Sequence, residues 1–520
     1  MPLQAQRLKS VLSSGINPRE SDESWPAWKA PELPALLFLS LLLALLALPR
    51  SPMLRDLDIG WLVRTGEYLW QHRQLPREDI FSFTQAGRPW VLYQWGSELL
   101  FGGLHRLAGL GGVVWGTALV IALTYSLLLY WLLKMGVSRL GSLGIVILVI
   151  LTNCHYWFTR PATLTFLLYT VILLILEDYH QAPGKKIWAL PGLFILWANL
   201  HLGFTLALGV VGLYAVALFF FPAAARGLGH PRDARLLLLY PFCLIAVCLN
   251  PYGVKLLAAF YEHVTSGFIV RGQLLEVQSP NFHEPAFICF FILIALLIWT
   301  GGRDYPGRPL LLTLVIATLG LSLYCARQLS YFSISAALHL GHALTPARKK
   351  AALSASTAVL RRGWGWACLA ALLSLLMIGA IERRQPGFYG FEPGRVPEKT
   401  AAYLARQSSG SRPLRVFSWN DQWASYFIYR LYPAARVFID TRFDFYGDTF
   451  VKQWSVWRDE ALQNPAVLNP WQVDFLVLDK KLLRQGQRLQ DLNWPLVYED
   501  EQALVYRPLR AVKAAPAGKP

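Results

Sequence analysis

The chain has 520 residues, of which 54% are hydrophobic and only 16% are charged, and its mean hydropathy is +0.36. This composition is too apolar for a soluble globular enzyme of that length, so it indicates an integral membrane protein. The formal net charge of +17 would suggest nucleic acid in a soluble protein. Here the lysines and arginines interrupt hydrophobic runs and no nucleic-acid motif accompanies them, so we expect a lipid bilayer as partner and no nucleic acid.

The N-terminal residues 1–33 are polar and basic and lack a cleavage site after an apolar core, so we interpret them as a cytoplasmic tail. The six cysteines lie in or beside apolar segments without C-x-x-C spacing, which favours small core residues over disulfides or metal ligands.

Residues 34–382 contain about eleven apolar segments, and a helix that crosses a bilayer needs about 20 predominantly apolar residues. Lysines and arginines concentrate in alternate loops, which predicts a cytoplasmic N-terminus and places the loops 50–109 and 250–284 and everything after 382 outside. In a bacterium this is the inner (plasma) membrane, with a periplasmic outer side. The predicted spans are 34–49, 110–133, 141–156, 161–177, 187–200, 203–221, 236–249, 285–300, 309–325, 328–344 and 363–381.

The first outer loop places apolar residues at helical spacing among charges over 59–72 and 93–107, which predicts amphipathic helices at the membrane surface. A Pro- and Gly-rich linker over 383–395 then separates the membrane part from a small extracytoplasmic α/β domain over 396–510, followed by a disordered tail over 511–520. The predicted fold is therefore an α-helical polytopic membrane protein with a C-terminal α/β domain. In that domain the patterns predict helices in PEKTAAYLARQ and DQWASYFIYRLY, strands in LRVFSW, RVFID and VDFLVLD, and a closing hairpin in PLVYEDEQALVYRP.

Two carboxylates, Asp56 and Asp58, follow the first predicted span directly. In an extended segment, residues two apart face the same way, so both side chains can reach one substrate. Such a pair can hold a hydroxyl acceptor, take its proton or bind a divalent cation. The alternative is that one of them caps the helix that follows.

Arg160 and Arg327 occur where outer loops meet predicted spans, and His201 lies in the sequence between them. Charges at such depth face a polar cavity or an anionic partner, and guanidinium groups bind phosphate oxygens bidentately. Snorkelling, or pairing with a carboxylate of the first loop, is the other interpretation of the arginines. For His201, an interhelical hydrogen bond is the alternative to a role as base or ligand.

The second outer loop, 250–284, carries Glu276, His283 and Glu284 at its end, and these are candidates for positioning an acceptor or supporting the base. Glu276 lies in a hydrophobic stretch, where burial would raise the pKa of a carboxyl group. The spacing contains no H-E-x-x-H zinc signature.

The order of several motifs resembles bacterial membrane proteins of the C-type glycosyltransferase superfamily. The matching stretches are DLDIGWLVRTGEYL, LPREDIFSFT with GRPW, the Arg160-Pro161 pair, WANLHLGF, NPYG, LLEVQSP, the late ARQ, and Trp419 through VFIDTRFDFYG. The resemblance implies an extracytoplasmic site, a polyprenyl-phosphate-linked sugar donor, and an acidic residue of the first outer loop as base, a place that Asp58 occupies.

The sequence therefore predicts an inverting glycosyltransferase that acts on an envelope glycan, lipid or protein acceptor. Asp58 would be the base with Asp56 beside it, and Arg160 and Arg327 would hold the donor phosphate. No cofactor is indicated apart from a divalent cation at the carboxylates. The alternative from another class is a non-enzymatic scaffold or a lipid-glycan transporter that uses the same cavity.

Overall fold

The computed structural model describes residues 32–222, 232–265, 278–301, 309–345, 364–408, 410, 412–483 and 493–509. Thirteen helices precede the C-terminal domain in these residues: α1 (Leu33–Leu46), α2 (Ile59–His72), α3 (Trp95–Lys134), α4 (Arg139–Asn153), α5 (Pro161–Gln181), α6 (Leu190–Ala198), α7 (Phe204–Phe220), α8 (Arg235–Ala246), α9 (Lys255–Thr265), α10 (Ile288–Gly301), α11 (Pro309–Tyr324), α12 (Leu329–Leu344) and α13 (Trp364–Arg384).

Every predicted span contains one of these helices, but the count of about eleven crossings is not established. Within the described ranges, four helices are long and apolar enough to cross a membrane alone: Trp95–Lys134, Arg139–Tyr156, Pro161–Gln181 and Trp364–Arg384. The others are shorter. At about 1.5 Å per residue, the 9-residue helix Leu190–Ala198 covers roughly half of a hydrocarbon core about 30 Å thick.

Helix α3 consists of two helices joined at a sharp break. Ala108 has φ −150°, and Gly109 has φ +57° with ψ −154°, a conformation that requires glycine. The part before the break matches the amphipathic helix predicted for 93–107, and the part after it matches the predicted span 110–133. The helix before the break thus belongs to the first outer loop, and the helix after it belongs to the membrane bundle.

Glycines bring helix α2 against two neighbours. A Cβ atom at Gly66 would lie 1.9 Å from the carbonyl oxygen of Glu98 in α3, and one at Gly60 would lie 2.3 Å from that of Ser425 in the C-terminal domain. The predicted amphipathic helix is confirmed, but its buried residues pack between these two helices. The first outer loop is therefore sandwiched between the bundle and the C-terminal domain.

The C-terminal domain contains a five-stranded sheet in the order β2-β1-β3-β5-β4. Strand β1 pairs in parallel with β2 and β3, whereas β5 pairs antiparallel with β3 and β4. The helices are α14 (Glu398–Gln407), α15 (Asp421–Leu431), α16 (Phe443–Tyr446) and α17 (Asp448–Glu460), and the strands are β1 (Leu414–Ser418), β2 (Ala435–Val437), β3 (Phe475–Asp479), β4 (Leu496–Glu499) and β5 (Ala503–Tyr506). All predicted strands and both predicted helices are present, while the two helices between β2 and β3 were not predicted.

Alternating side chains divide the apolar core between the two faces of this sheet. Val416 and Val477 belong to a cluster that continues into the membrane helices, whereas Phe417 and Leu476 belong to a separate cluster on the other face. This alternation follows the two-residue period of a strand. One face of the domain is therefore continuous with the core of the bundle.

The first outer loop extends the sheet beyond β2. The Val437 amide donates to the carbonyl of Phe81 at 3.0 Å, the Phe83 amide donates to the carbonyl of Val437 at 3.1 Å, and Ser82 forms an isolated parallel bridge with Val437. The hydroxyl of Thr84 donates to the carbonyl of Phe438 at 2.5 Å. These backbone bonds fix the position of the loop relative to the domain.

Candidate functional site

The site begins with a bridge between Arg160 and the two carboxylates of the first loop. Arg160 precedes α5, where Pro161 keeps it extended (φ −126°, ψ 154°). Its Nη2 lies 3.0 Å from Oδ2 of Asp58, and its Nε pairs with Oδ2 of Asp56. The neighbouring Thr159 ties the two segments together, because its amide donates to the carbonyl of Met53 at 3.0 Å. One guanidinium thus holds two carboxylates, which stabilises their negative charge.

The other oxygen of Asp58 contacts the C-terminal domain. The Thr441 hydroxyl donates to Oδ1 of Asp58, and the hydroxyls of Thr441 and Ser425 lie 2.9 Å apart. Asp58 precedes helix α2, but its side chain makes no capping hydrogen bond there. Asp56 instead accepts a bond from the Asp58 amide at 3.1 Å. The helix-cap interpretation therefore does not describe the Asp58 side chain.

Exposure distinguishes the two carboxylates. The side chain of Asp58 is 19% exposed, whereas that of Asp56 is 6% exposed. Solvent can therefore reach Asp58, while Asp56 is covered and contacts the Asp58 amide and Arg160. A carboxylate held in this way can accept a proton from a hydroxyl group within hydrogen-bond reach.

His201 lies in the turn between α6 and α7 and is held as a neutral imidazole. Its Nδ1 accepts a hydrogen bond from the Gly203 amide at 3.1 Å and lies 2.9 Å from the Thr165 hydroxyl, which itself accepts from the Trp197 indole at 3.0 Å. These bonds favour the tautomer with hydrogen on Nε2. Burial lowers the pKa of His201, and the charges of Arg327, His263 and Arg160 add to this effect, so that the pKa is about 3.

Arg327 lies in the turn Ala326–Gln328, and its charge acts on both His201 and Tyr93. The amide of Ala326 donates to the carbonyl of Gln278 at 2.9 Å, which joins this turn to the end of the second outer loop. The charges of Arg160 and Arg327, which the sequence singled out in separate segments, therefore both act on His201, and Arg160 also pairs with the two carboxylates.

The remaining candidates of the second outer loop are not joined to this group by any described contact. His283 and Glu284 are exposed, and both bond to Asn281: its side chain accepts from the His283 amide at 3.2 Å and donates to the Glu284 carboxylate at 3.1 Å. Glu276 lies outside the described residues. His263 does approach the site, since its Nδ1 lies 3.9 Å from a carboxylate oxygen of Asp444.

A buried ion-pair network fastens the C-terminal domain to the first loop. Arg442 donates to Asp440 at 2.8 and 2.6 Å and to Asp79 at 2.8 Å, and Tyr446 donates to Asp440 at 2.8 Å. Burial lowers the pKa of Arg442, but Asp440 and Asp79 raise it well above its ordinary value. Five aromatic rings have centroids within 4.5 to 5.9 Å of the guanidinium carbon: Trp61, Phe81, Trp90, Phe445 and Tyr446.

Sequence reasoning did not find Thr441, Ser425 or Glu98 as parts of this region. Thr441 stands inside the stretch VFIDTRFDFYG, which carried part of the resemblance, so a signal was present there. Ser425 and Glu98 sit in ordinary amphipathic helices, where hydroxyl and carboxyl side chains are common and carry no signal. In the described part of the chain, no group of three or more His, Cys, Asp or Glu side chains is placed to hold a metal ion.

The overall architecture is shared with oligosaccharyltransferases, which have the C-type glycosyltransferase fold. A crystal structure of the Archaeoglobus fulgidus oligosaccharyltransferase, tethered with an acceptor peptide containing the NVT sequon via a disulfide bond, matches with a TM-score of 0.52 and 13% identity, covering 86% of this chain and 68% of that chain. The archaeal oligosaccharyltransferase AglB from the same organism, in complex with an inhibitory peptide and a dolichol-phosphate, matches with a TM-score of 0.55 and 12% identity over the same shares of the two chains.

No protein-family model and no curated protein sequence matches the chain. At identities of 12 to 13%, the likeness establishes the fold, and activity has to be argued from the site.

Proposed function

We propose that this protein is a membrane glycosyltransferase that moves a sugar from a polyprenyl-phosphate-linked donor to an envelope glycan, lipid or protein on the outer side of a bacterial inner membrane. One observation carries the proposal: Asp58 is held between Arg160 of the bundle and Thr441 of the C-terminal domain. Asp58 is accessible, and it lies where the first outer loop, the helical bundle and the C-terminal domain meet in a fold shared with an oligosaccharyltransferase. This position suits a carboxylate that acts on a substrate between membrane and solvent.

The proposed reaction is a single inverting displacement. An acceptor hydroxyl attacks the anomeric carbon of the donor sugar, so the new glycosidic bond forms as the bond to the lipid phosphate breaks. The hydroxyl proton passes to Asp58, and the lipid phosphate leaves with the bonding electrons. A positioned general base contributes about 100- to 10,000-fold to a rate.

The arginines supply positive charge where the phosphate leaves. Arg160 already pairs with Asp56 and Asp58, so it orients the base as well as adding charge to this region. Arg327 is the second guanidinium near His201. Stabilising the developing charge of a leaving phosphate by fixed cations is an effective form of catalysis. Neutral His201 would support the acceptor, and the same role remains a hypothesis for Glu276, His283 and Glu284.

The related structures support the choice of substrates. One carries an acceptor peptide, and another carries dolichol-phosphate, which is a polyprenyl phosphate. The pair Asp56 and Asp58 has the oxygen ligands that a divalent cation prefers. A cation that binds there would have to displace Arg160 from the carboxylates.

The test is transfer of sugar from a total polyprenyl-phosphate-sugar extract by the full chain in lipid, with Asp58→Asn compared to wild type at matched folding. We expect the variant to lose at least about 100-fold. Asp459→Asn is the matched control, because the Asp459 side chain is 66% exposed and pairs only with its neighbour Arg458 in the described structure.

Full activity of Asp58→Asn would remove Asp58 as the base. If wild type transfers no sugar from any extract while the same preparation moves lipid-linked sugars between leaflets in a flipping assay, the protein is a transporter and not a transferase.

A further inference from the structure

Glu98, in the first turn of α3, is a buried carboxyl group, and neither of its oxygens meets a described donor in good hydrogen-bond geometry. Burial raises the pKa of Glu98 well above its ordinary value, which favours the protonated form, although the nearby Gln94 side chain and the charge of Arg442 oppose this rise. Burying such a polar group without compensation costs about 2 to 7 kcal/mol. Native proteins rarely leave such groups unsatisfied, so an unpaired one indicates a binding partner.

A second unsatisfied group lines the same pocket. Arg442 is only 3% exposed and uses Nε and Nη2 to bind Asp440 and Asp79, which leaves Nη1 without an acceptor in the described structure. The pocket therefore presents an unpaired carboxyl group and an unpaired N–H donor to one small space. Its full lining is Trp61, Trp90, Val91, Leu92, Tyr93, Gln94, Glu98, Arg442 and Asp444.

The pocket adjoins the Asp58 site. Arg442 and Asp444 follow Thr441, the residue that bonds to Asp58, on one short segment. On the other side, burial raises the pKa of Tyr93 well above its ordinary value, Asp444 and Glu98 raise it further, and the charge of Arg327 opposes them. The charge of Arg327 thus acts on Tyr93 as well as on His201. A sugar that reacts beside Asp58 would lie next to this pocket, because Thr441 contacts Asp58 and the next residue, Arg442, lines the pocket.

The chemistry of the two unpaired groups selects the ligand. A hydroxyl group accepts one hydrogen bond and donates another, so it can satisfy Nη1 of Arg442 and a carboxyl oxygen of Glu98 together. A phosphate or carboxylate is larger than the space between the two groups, and an ammonium group would offer Arg442 no acceptor. The space holds about one water-sized group, which suits a single hydroxyl.

We propose that the pocket formed by Glu98 and Arg442 receives one hydroxyl of the donor sugar and thereby determines which sugar is accepted. This inference rests on the proposed use of a lipid-linked sugar. It is tested by binding, which does not require transfer.

The experiment measures dissociation constants by native mass spectrometry of the full chain in lipid. The probes are polyprenyl phosphate without sugar and its esters with glucose, galactose and mannose. A further series of esters lacks one free hydroxyl group of the sugar at a time. In wild type, loss of one particular hydroxyl should weaken binding about 10- to 100-fold, because the groups that it satisfied are left unpaired.

Two variants of Glu98 give the contrast. In Glu98→Leu, removing that hydroxyl should weaken binding clearly less than it does in wild type, since only the bond to Arg442 is then lost. Glu98→Gln keeps an acceptor and a donor at the same place and should retain most of the discrimination. The other hydroxyl positions should behave alike in all three proteins, which a general loss of folding would not produce.

The proposal is overturned if wild type binds all sugar-bearing lipids no better than sugarless polyprenyl phosphate. It is also overturned if Glu98→Leu keeps the wild-type discrimination, in which case the pocket holds a structural water. Discriminating binding without any transfer would instead refute the proposed function and leave this subsite standing.

Discussion

Thr441 of the C-terminal domain donates its hydroxyl hydrogen to Asp58 of the first outer loop, although 383 positions separate them in the chain. The domain therefore forms part of the candidate site. It reaches Asp58 because β2 accepts the loop as an additional strand and because Arg442, the next residue, is bound to Asp79 of the same loop.

The bond from Thr441 to Asp58 predicts a positioning role for the hydroxyl. Thr441→Val keeps the shape of the side chain and removes the donor, so Asp58 would lose this hydrogen bond to the C-terminal domain. We expect transfer to fall about 10-fold with little change in the apparent KM, in line with a lost hydrogen bond to a charged group of about 1.5 kcal/mol. Thr441→Ser restores the hydroxyl and should recover most of the activity.

Steady-state kinetics over a range of extract concentrations up to saturation provide the measurement. An equal loss in the Thr441→Val and Thr441→Ser variants would point to packing of the methyl group and not to the hydrogen bond.

The sequence predicted most of the helices and strands because their periodicity is strong. The four predicted segments LRVFSW, RVFID, VDFLVLD and PLVYEDEQALVYRP all contain strands at the expected places. It missed helix Asp448–Glu460, whose aromatic and charged residues give a weak pattern. Within the site, Asp58 and Arg160 were found because charges beside membrane spans are costly.

What the sequence did not show is which residues meet. Pairing of Arg160 with a first-loop carboxylate was one of two open interpretations, and the structure has that pairing. Contacts such as that of Thr441 with Asp58 depend on the packing of a whole domain, so local pattern carries no information about them. The same applies to Glu98, which is ordinary in sequence and differs from other buried polar side chains of the described structure in that both of its carboxyl oxygens lack a hydrogen bond.

The buried network of Arg442 should dominate the attachment of the C-terminal domain. Arg442→Leu leaves Asp440 and Asp79 without their common cation, and breaking a buried pair in this way costs about 3 to 5 kcal/mol. Thermal unfolding in detergent should show a clear loss of stability. Hydrogen exchange should show the earliest opening at β2 and residues 81–83.

The control for Arg442→Leu is Lys399→Met, because Lys399 pairs with Glu501 on an exposed surface where ion pairs contribute little. We expect no measurable change in thermal stability for Lys399→Met. If the two variants unfolded alike, the network would not be what attaches the domain.

The contact of α2 with α3 predicts a severe effect at Gly66. A methyl group there would lie 1.9 Å from the carbonyl oxygen of Glu98, so one helix must move. We expect Gly66→Ala to destabilise the protein by about 1 to 3 kcal/mol or more, as overpacking does. Gly144→Ala in α4 is the matched control, since nothing lies within 4 Å of its Cβ position.

By its helix propensity, alanine at position 144 should be neutral or stabilising by up to about 1 kcal/mol. The test compares the unfolding midpoints of Gly66→Ala, Gly144→Ala and wild type under identical detergent conditions. Equal stability of Gly66→Ala and wild type would mean that the helices are not as close as described.

His201 predicts a specific dependence of stability on pH. Its pKa in the folded protein is about 3, below the ordinary value of 6.5, so the unfolded chain binds a proton that the folded chain does not. Stability is therefore full above about pH 6.5 and falls as the pH drops toward 3. One proton corresponds to about 1.4 kcal/mol per pH unit, reduced by the partial exposure of the ring.

In the variant His201→Gln, residue 201 cannot titrate. Between about pH 6.5 and 4, the free energy of unfolding of this variant should therefore fall less steeply than that of wild type, by up to about 1.4 kcal/mol per pH unit, which corresponds to one proton. His72→Gln, at an exposed histidine, should follow the wild-type curve. Denaturant titrations at several pH values measure these slopes. Parallel curves for wild type and His201→Gln would show that the His201 ring takes up its proton as readily in the folded protein as in the unfolded chain. The neutral tautomer assigned from the contacts with Gly203 and Thr165 would then be wrong.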